Sequence, residues 1–462
     1  MSIATSHIEG FAGTVLTPGH HRYDTARAVF NGAIDRHPAL IAEAAEARDV
    51  AAALAHGRER DMQIAVRAGG HSGAGYGVVD DGLVIDVRPM QRVEVDLAAR
   101  TVRAGAGLTW AQLDAATQAH GLAVTGGRVS HTGVAGLTLG SGSGWLERVH
   151  GLTADNLVSA TVVTADGSVV RAGVHEHPDL FWALRGGGGN FGVVTEFELA
   201  LHPVGPMVHG GMLMFEWSRA GEALAAYRDL MLAAPDEFSG CAALQLAPPA
   251  PFVPGQLVGE PVTTIVVAAF GDAADADRLL APLRALAPVV DAVGPMPYVA
   301  LQSMLDEGNP HGMQNQWKAG FLDELPDRAI GDALGAAAGI PSPLTVVLLQ
   351  PLGGAYARVD EDATALSHRD AGWAYHALSM WPDPADTPLN RAWTEAFAAA
   401  MALYGSGAAH PNYVSEDAGE RVRRFYGAET YERLVAVKQR WDPWNVFALN
   451  QNIRPGDGRA AD

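Results

Sequence analysis

Three glycine-rich segments constrain this chain more than any other feature: VRAGGHSGAGYG at 66–77, TGGRVSHTGVAGLTLGSGSGWL at 125–146 and LRGGGGNFGVV at 184–194. Each adjoins a strand-like run. Glycine lets several backbone N–H groups turn toward one point and lets a large anionic ligand approach the main chain, so three such loops in one domain point to a pyrophosphate cradle and a dinucleotide. Tight turns are the alternative for any one loop taken alone. A nicotinamide site would need G-x-G-x-x-G between strand and helix, with an acid about 20 residues on. The nearest candidate, Gly140, Gly142 and Gly144, has the wrong spacing, and Asp166 falls in a hairpin turn. No Walker loop, G-x-x-x-x-G-K-[ST], occurs.

Around these loops, helix-like and strand-like pieces alternate from about residue 40 to residue 200. Asp49 is predicted to cap a helix running through about Arg60, followed by strands at Gln63–Ala68, Leu83–Arg88 and Thr101–Ala104. Thr109 is predicted to cap a helix carrying Trp110, Leu113 and Ala116 at helical spacing. LVSATVVTADGSVVRAG reads as a hairpin turning at Asp166-Gly167. Without a regular βαβ rhythm, the fold class is α+β. After HPVGP at 202–206 the texture changes to strand-like runs near 208–216, 240–247, 262–270, 344–351 and 372–381, with amphipathic helices near 219–233, 274–287 and 387–404. These predict a second domain, an antiparallel sheet covered by helices. The expected division is 1–205 for the first domain, 206–409 for the second, and 410–462 for a segment that returns to dock on the first.

The 462 residues exceed what one core usually covers, in keeping with two domains. With 32 basic against 52 acidic residues, the net charge of −20 repels phosphate backbones and anionic membrane faces, which argues against nucleic acid as a partner. No apolar stretch reaches the length of a membrane span, and the N-terminal residues lack the pattern of a signal peptide, so no membrane association is expected. The single cysteine, Cys241, allows no internal disulfide and no cysteine-based metal cluster; a cytoplasmic setting and no metal are the expectation. Oligomeric state is not legible.

A histidine in a glycine loop, such as His71, ordinarily shapes a turn or makes a hydrogen bond. Yet RAGGHSGAGYGVVDDGLVIDVRPM, GGRVSHTGVAGLTLGSGSGWL, GLTADNLVSATVVTADGSVV, HPDLFWALRGGGGNFGVVTEFEL and the terminal NVFALNQNIRP, taken in order, resemble the berberine bridge enzyme-like oxidases of the vanillyl-alcohol oxidase superfamily. The resemblance is specific in the first 200 and last 50 residues and weak between. It implies a PCMH-type FAD-binding domain of two subdomains beside a substrate domain, with FAD bonded covalently to His71. That chemistry needs an unprotonated imidazole. It also implies a cofactor-binding set comprising Arg67, Gly69, Gly70, Ser72, Gly127, Val129, Thr132, Gly133, Gly136, Gly140, Gly144, Asn190, Gly192, Val194, Asn450 and Asn452. Val129 stands where many members carry a second, cysteinyl flavin link, so a single bond is expected, as in the 6-hydroxynicotine oxidase-like branch.

Hydride transfer to a flavin requires a base beside the substrate O–H or N–H. By resemblance, Tyr413 in HPNYVSED matches the tyrosine that commonly serves as that base. Tyr375 matches a substrate-facing position on a strand forming the cleft roof. Alternation puts Trp373, Tyr375 and Ala377 on one face of that strand and Ala374, His376 and Leu378 on the other, so with Tyr375 facing the flavin His376 would point away. Thr132 matches the position that lines the pocket where oxygen meets reduced flavin, and its valine-like shape should admit oxygen. The implied function is an FAD-dependent oxidase of a small organic alcohol, amine or sugar that yields hydrogen peroxide. The alternatives are a dehydrogenase using another acceptor and a flavin-loaded binding protein with little turnover. The substrate itself is not legible.

Overall fold

A computed structural model describes residues 7–414 and 422–456. The first domain holds two sheets. One has the order Thr14–Leu16, Leu40–Glu43, Leu83–Asp86, Ile64–Arg67, with the last three strands parallel. Leu83–Asp86 is buried at every position, as a near-continuous apolar run covered on both faces should be. The other sheet is antiparallel, in the order Val93–Asp96, Thr101–Gly105, Val193–Ala200, Leu157–Val163, Val169–Gly173. Its 157–173 hairpin turns at Asp166-Gly167, where Asp166 accepts from the Ser168 amide at 3.0 Å and Gly167 takes a φ of +88°. Helix Ala47–Glu59 is capped by Glu46, with Asp49 as the reciprocal partner three positions in. Buried Asp49 accepts from the amides of Ala45 at 3.0 Å and Ala12 at 2.9 Å, tying the cap to the N-terminal strand region. Thr109 caps helix Trp110–Gln118 as expected, with Gln112 completing the box.

The second domain is built on an eight-stranded antiparallel sheet whose central path runs Met207–Glu216, Pro261–Ala269, Phe238–Leu246, Val346–Pro351, Trp373–Trp381, Gln314–Leu322. The strand Gln314–Leu322 and the helix Asp327–Ala337 lie outside the elements expected from sequence. The strand's QNQWKAGFL mixes amides, lysine and glycine with few β-branched residues, so its pattern is weak. Helices Ala220–Ala233, Ala273–Arg284, Asp327–Ala337 and Thr387–Met401 cover one sheet face, burying Leu213, Ile265, Leu349, Tyr375 and Phe397. On the other face Cys241, Ala243, Val266 and Leu348 pack against Trp145 and Leu146 of the first domain. That second face closes the space between the domains.

After residue 422 the chain rejoins the first domain, where Leu434, Val437, Phe447 and Ile453 enter its core. Lys438, fully buried, donates to Asp442 at 2.6 Å and to the carbonyls of Asn190 at 2.8 Å and Phe447 at 3.1 Å. Asp442 in turn accepts from the Val446 and Phe447 amides, so both charges are compensated. Among the described residues no helix is long and apolar enough to cross a membrane.

Candidate flavin site

Two of the glycine loops meet backbone to backbone. A Cβ on Gly69 would lie 2.3 Å from the Gly133 nitrogen, and one on Gly133 would lie 2.4 Å from the Gly69 nitrogen, so only glycine fits at either place. Gly70 takes a φ of +71° and turns the loop so that His71 follows. Among the described residues no acceptor pairs with the amides of Gly69, Gly70, His71 or Ser72. Four adjacent free N–H groups beside two glycines in contact make a nest suited to an anionic or carbonyl-rich group, and the residues present thus fit a flavin dinucleotide.

His71 sits at a three-way junction. Its Nε2 lies 2.8 Å from Nδ1 of His131, in the second glycine loop, and the same Nδ1 lies 3.2 Å from Nε2 of His311, from the second domain. Phe30 stacks on the His71 ring at 4.2 Å between centroids. Burial, reinforced by the two neighbouring imidazoles, holds His71 well below the usual histidine range, so its ring is neutral at neutral pH. The ligand nitrogens of the three histidines lie within 4.8 Å of one another, a grouping able to hold a metal ion as well, which the sequence did not suggest.

A second polar cluster is sealed between the domains. Arg128 pairs with Glu147 at 3.4 Å and donates to Ser143 at 3.0 Å and the Gly144 carbonyl at 3.1 Å. Ser143 donates to Glu147 at 2.6 Å. Gln350, from strand Val346–Pro351, donates from Nε2 to Glu147 and to Ser143 at 3.1 Å, while its Oε1 lies 3.3 Å from Nε2 of His376. The ring of His376 lies against that of Tyr413, tilted by 39° with centroids 4.0 Å apart, and His410 lies beyond, against Phe321. Burial raises the pKa of the Tyr413 hydroxyl, with the nearby Arg128 guanidinium and Ser143 pulling the other way. Burial holds His376 well below the usual histidine range and His410 at about 3. Both are neutral.

The structure corrects the reading of strand Trp373–Trp381. The alternation holds but the faces are exchanged: Tyr375 packs in the helix-covered core against Phe397, and His376 faces the first domain. Tyr375 therefore does not face the site, because the four helices claim the face that carries Trp373, Tyr375 and Ala377. Tyr413 does lie in the site, beside Asn412, which hydrogen-bonds the Gly136 carbonyl and the Gly142 amide; a Cβ on Gly140 would strike Asn412. Gly144 is held against the Gly126 carbonyl, and Gly127 accepts from Gln302. Thr132 has its backbone fixed by Val129 and Trp110.

Other members of the expected cofactor set have structural partners. Arg67 donates to the carbonyls of Ala26 and Ala28, Ser72 accepts from the Tyr76 amide, and Val194 pairs with Val162 in the sheet. Gly192 is pressed against Val162. Asn190 grips the terminal segment, accepting from the Ile453 amide at 2.9 Å and donating to the Gln451 carbonyl at 3.2 Å. Asn450 donates to the Phe447 carbonyl, and the Oδ1 atoms of Asn450 and Asn452 have no partner among the described residues. Arg128, Ser143, Glu147, Gln350, His410 and His311 were not singled out from sequence. The first three lie in or beside the second glycine segment; the others carry no local signal.

Residues 38–173 match the family described as "FAD binding domain" and residues 409–454 the family described as "Berberine and berberine like". The chain is 32% identical to (R)-6-hydroxynicotine oxidase of Paenarthrobacter nicotinovorans, covering 96% of this chain and 97% of that protein. It is 31% identical to an FAD-linked oxidoreductase of Dictyostelium discoideum over 98% and 97%. The crystal structure of 6-hydroxy-D-nicotine oxidase from Arthrobacter nicotinovorans superposes with a TM-score of 0.87 at 30% identity, covering 96% of this chain and 98% of that one. With this fold, these loops and relatives matched over nearly their whole length, the chain belongs to the berberine bridge enzyme-like FAD-linked oxidoreductases.

Proposed function

We propose that the protein is an oxidase that holds FAD through one covalent bond to His71 and oxidises a small organic alcohol, amine or sugar, with oxygen as the electron acceptor and hydrogen peroxide as the product. The observation that carries this reading is the neutral His71 imidazole, with one ring nitrogen engaged by His131 and the other left for a bond to carbon. Val129 offers no second nucleophile, and burial pushes the Cys241 thiol up to about 11, where it stays protonated and unreactive.

Bound FAD would supply the hydride acceptor. Gly69, Gly70, Ser72 and the loop 125–146 would hold it, with Asn450 and Asn452 offering free carbonyl oxygens from the terminal segment. The chain's own part is proton handling between the domains. Tyr413, beside Arg128 and against His376, presents a hydroxyl that orients a substrate O–H or N–H, and the sheet face bearing Gln350 and His376 shuts out water. Thr132 keeps a small side chain where oxygen would approach. Relatives named for (R)-6-hydroxynicotine and for glucooligosaccharide support a small organic substrate.

Acid-precipitated protein should stay yellow. Anaerobic mixing with (R)-6-hydroxynicotine, xylobiose and benzyl alcohol should bleach the flavin with at least one of them, and admitting air should restore the colour with release of peroxide. A colourless precipitate would sink the covalent link; bleaching without peroxide in air would make the protein a dehydrogenase.

A further inference from the structure

We infer that His376 is the base that takes the substrate proton, with Gln350 and Glu147 as positioning residues that fix its tautomer. The inference rests on the oxidase reading above but stands on its own geometry. Glu147, paired with Arg128, is a carboxylate and can only accept hydrogen bonds. Gln350 must therefore turn its NH2 toward Glu147 and Ser143, which leaves its carbonyl oxygen facing His376 Nε2 at 3.3 Å. An acceptor at that position requires the proton of the neutral ring to sit on Nε2. Nδ1 then carries a lone pair, and this atom is buried with no partner among the described residues.

A buried acceptor without a donor is destabilising, and a substrate O–H or N–H would satisfy it. His376 is 1% exposed and lies against Tyr413, so a substrate hydroxyl or amine held by Tyr413 comes within reach of the same ring. Of the neighbours, Tyr413 is a protonated phenol at neutral pH, and the charges of Arg128 and Glu147 offset each other. Two neutral imidazoles in this cluster have a ring nitrogen without a partner among the described residues, His376 Nδ1 and His410 Nε2, and His376 is the nearer to Tyr413, with ring centroids 4.0 Å apart against 6.4 Å.

In the step, a hydride leaves the substrate carbon for FAD and the proton on the adjoining oxygen or nitrogen passes to His376 Nδ1, as a C=O or C=N double bond forms. The substrate loses two electrons. Oxygen later takes those two electrons with two protons, one of them returned by His376, to give hydrogen peroxide.

Two measurements on the flavin-loaded enzyme decide the matter. Nitrogen-15 spectra of histidine-labelled protein at pH 7, with His376 assigned by its loss in His376→Gln, should show Nε2 protonated and Nδ1 bare, and Gln350→Leu should introduce the other tautomer. In anaerobic stopped flow with whichever of (R)-6-hydroxynicotine, xylobiose and benzyl alcohol reduces the wild type fastest, His376→Gln should slow flavin reduction about 10²–10⁴-fold while the half-saturating concentration changes little. Gln placed here still offers Gln350 a donor, which preserves packing. A protonated Nδ1 in the wild type, or a His376→Gln rate within about threefold of wild type, overturns the assignment. Failure of every compound to bleach the wild-type flavin counts against the oxidase reading instead, and the spectra still judge the tautomer.

Discussion

The rings of His376 and Tyr413 meet with centroids 4.0 Å apart, one residue brought by the sheet of the second domain and the other by the segment leading back to the first. The two polar tips therefore serve one substrate. Tyr413→Phe keeps the ring and removes the hydroxyl's hydrogen bond to the substrate, a change of about 1.4 kcal/mol. Flavin reduction should slow about tenfold. A loss as large as that of His376→Gln in anaerobic stopped flow would move the base to Tyr413.

At the other end of the site, His71→Ala should give flavin that is released on acid precipitation. His131→Gln tests the support that His71 receives at 2.8 Å. With one hydrogen bond weakened, attachment of FAD to the flavin-free protein should slow about tenfold, as followed by the fluorescent protein band on a denaturing gel. Attachment at the wild-type rate would show that His131 plays no part.

Acid should destabilise the fold through its buried imidazoles. Burial, with Arg369 and Arg128 adding to it, holds His410 at about 3, and burial holds His150 at about 4. In the unfolded chain both titrate near about 6.5. As pH falls below that value the unfolded state binds protons that the folded state refuses, so stability drops progressively toward pH 3–4 and is greatest above about 6.5. The melting temperature of His410→Asn should fall less between pH 7 and pH 5 than that of the wild type. An equal fall would show that His410 does not contribute.

Lys438→Met should destabilise the protein by about 3–5 kcal/mol, because it leaves the Asp442 carboxylate buried without its cation. Denaturant unfolding measures this directly. The double variant Lys438→Met, Asp442→Leu should recover part of the loss; if the single variant is neutral, the terminal segment is not held by this pair.

The glycine loops were readable in the sequence because their constraint is local: a φ of +71° at Gly70 and the contact of Gly69 with Gly133 admit no side chain, whatever surrounds them. Alternation in 373–381 was likewise readable, since period two follows from the pleat. Which face of that strand met the other domain was not, because both faces carry aromatic and apolar residues and burial alone does not rank them. The four helices decided it by covering the Tyr375 side. Nor could the sequence join Glu147 to Gln350 across 203 residues, or bring His311 to His131. Those pairings exist only once the two domains close on each other. Burial then makes a carboxylate dictate the orientation of an amide, and the amide dictate the tautomer of a histidine.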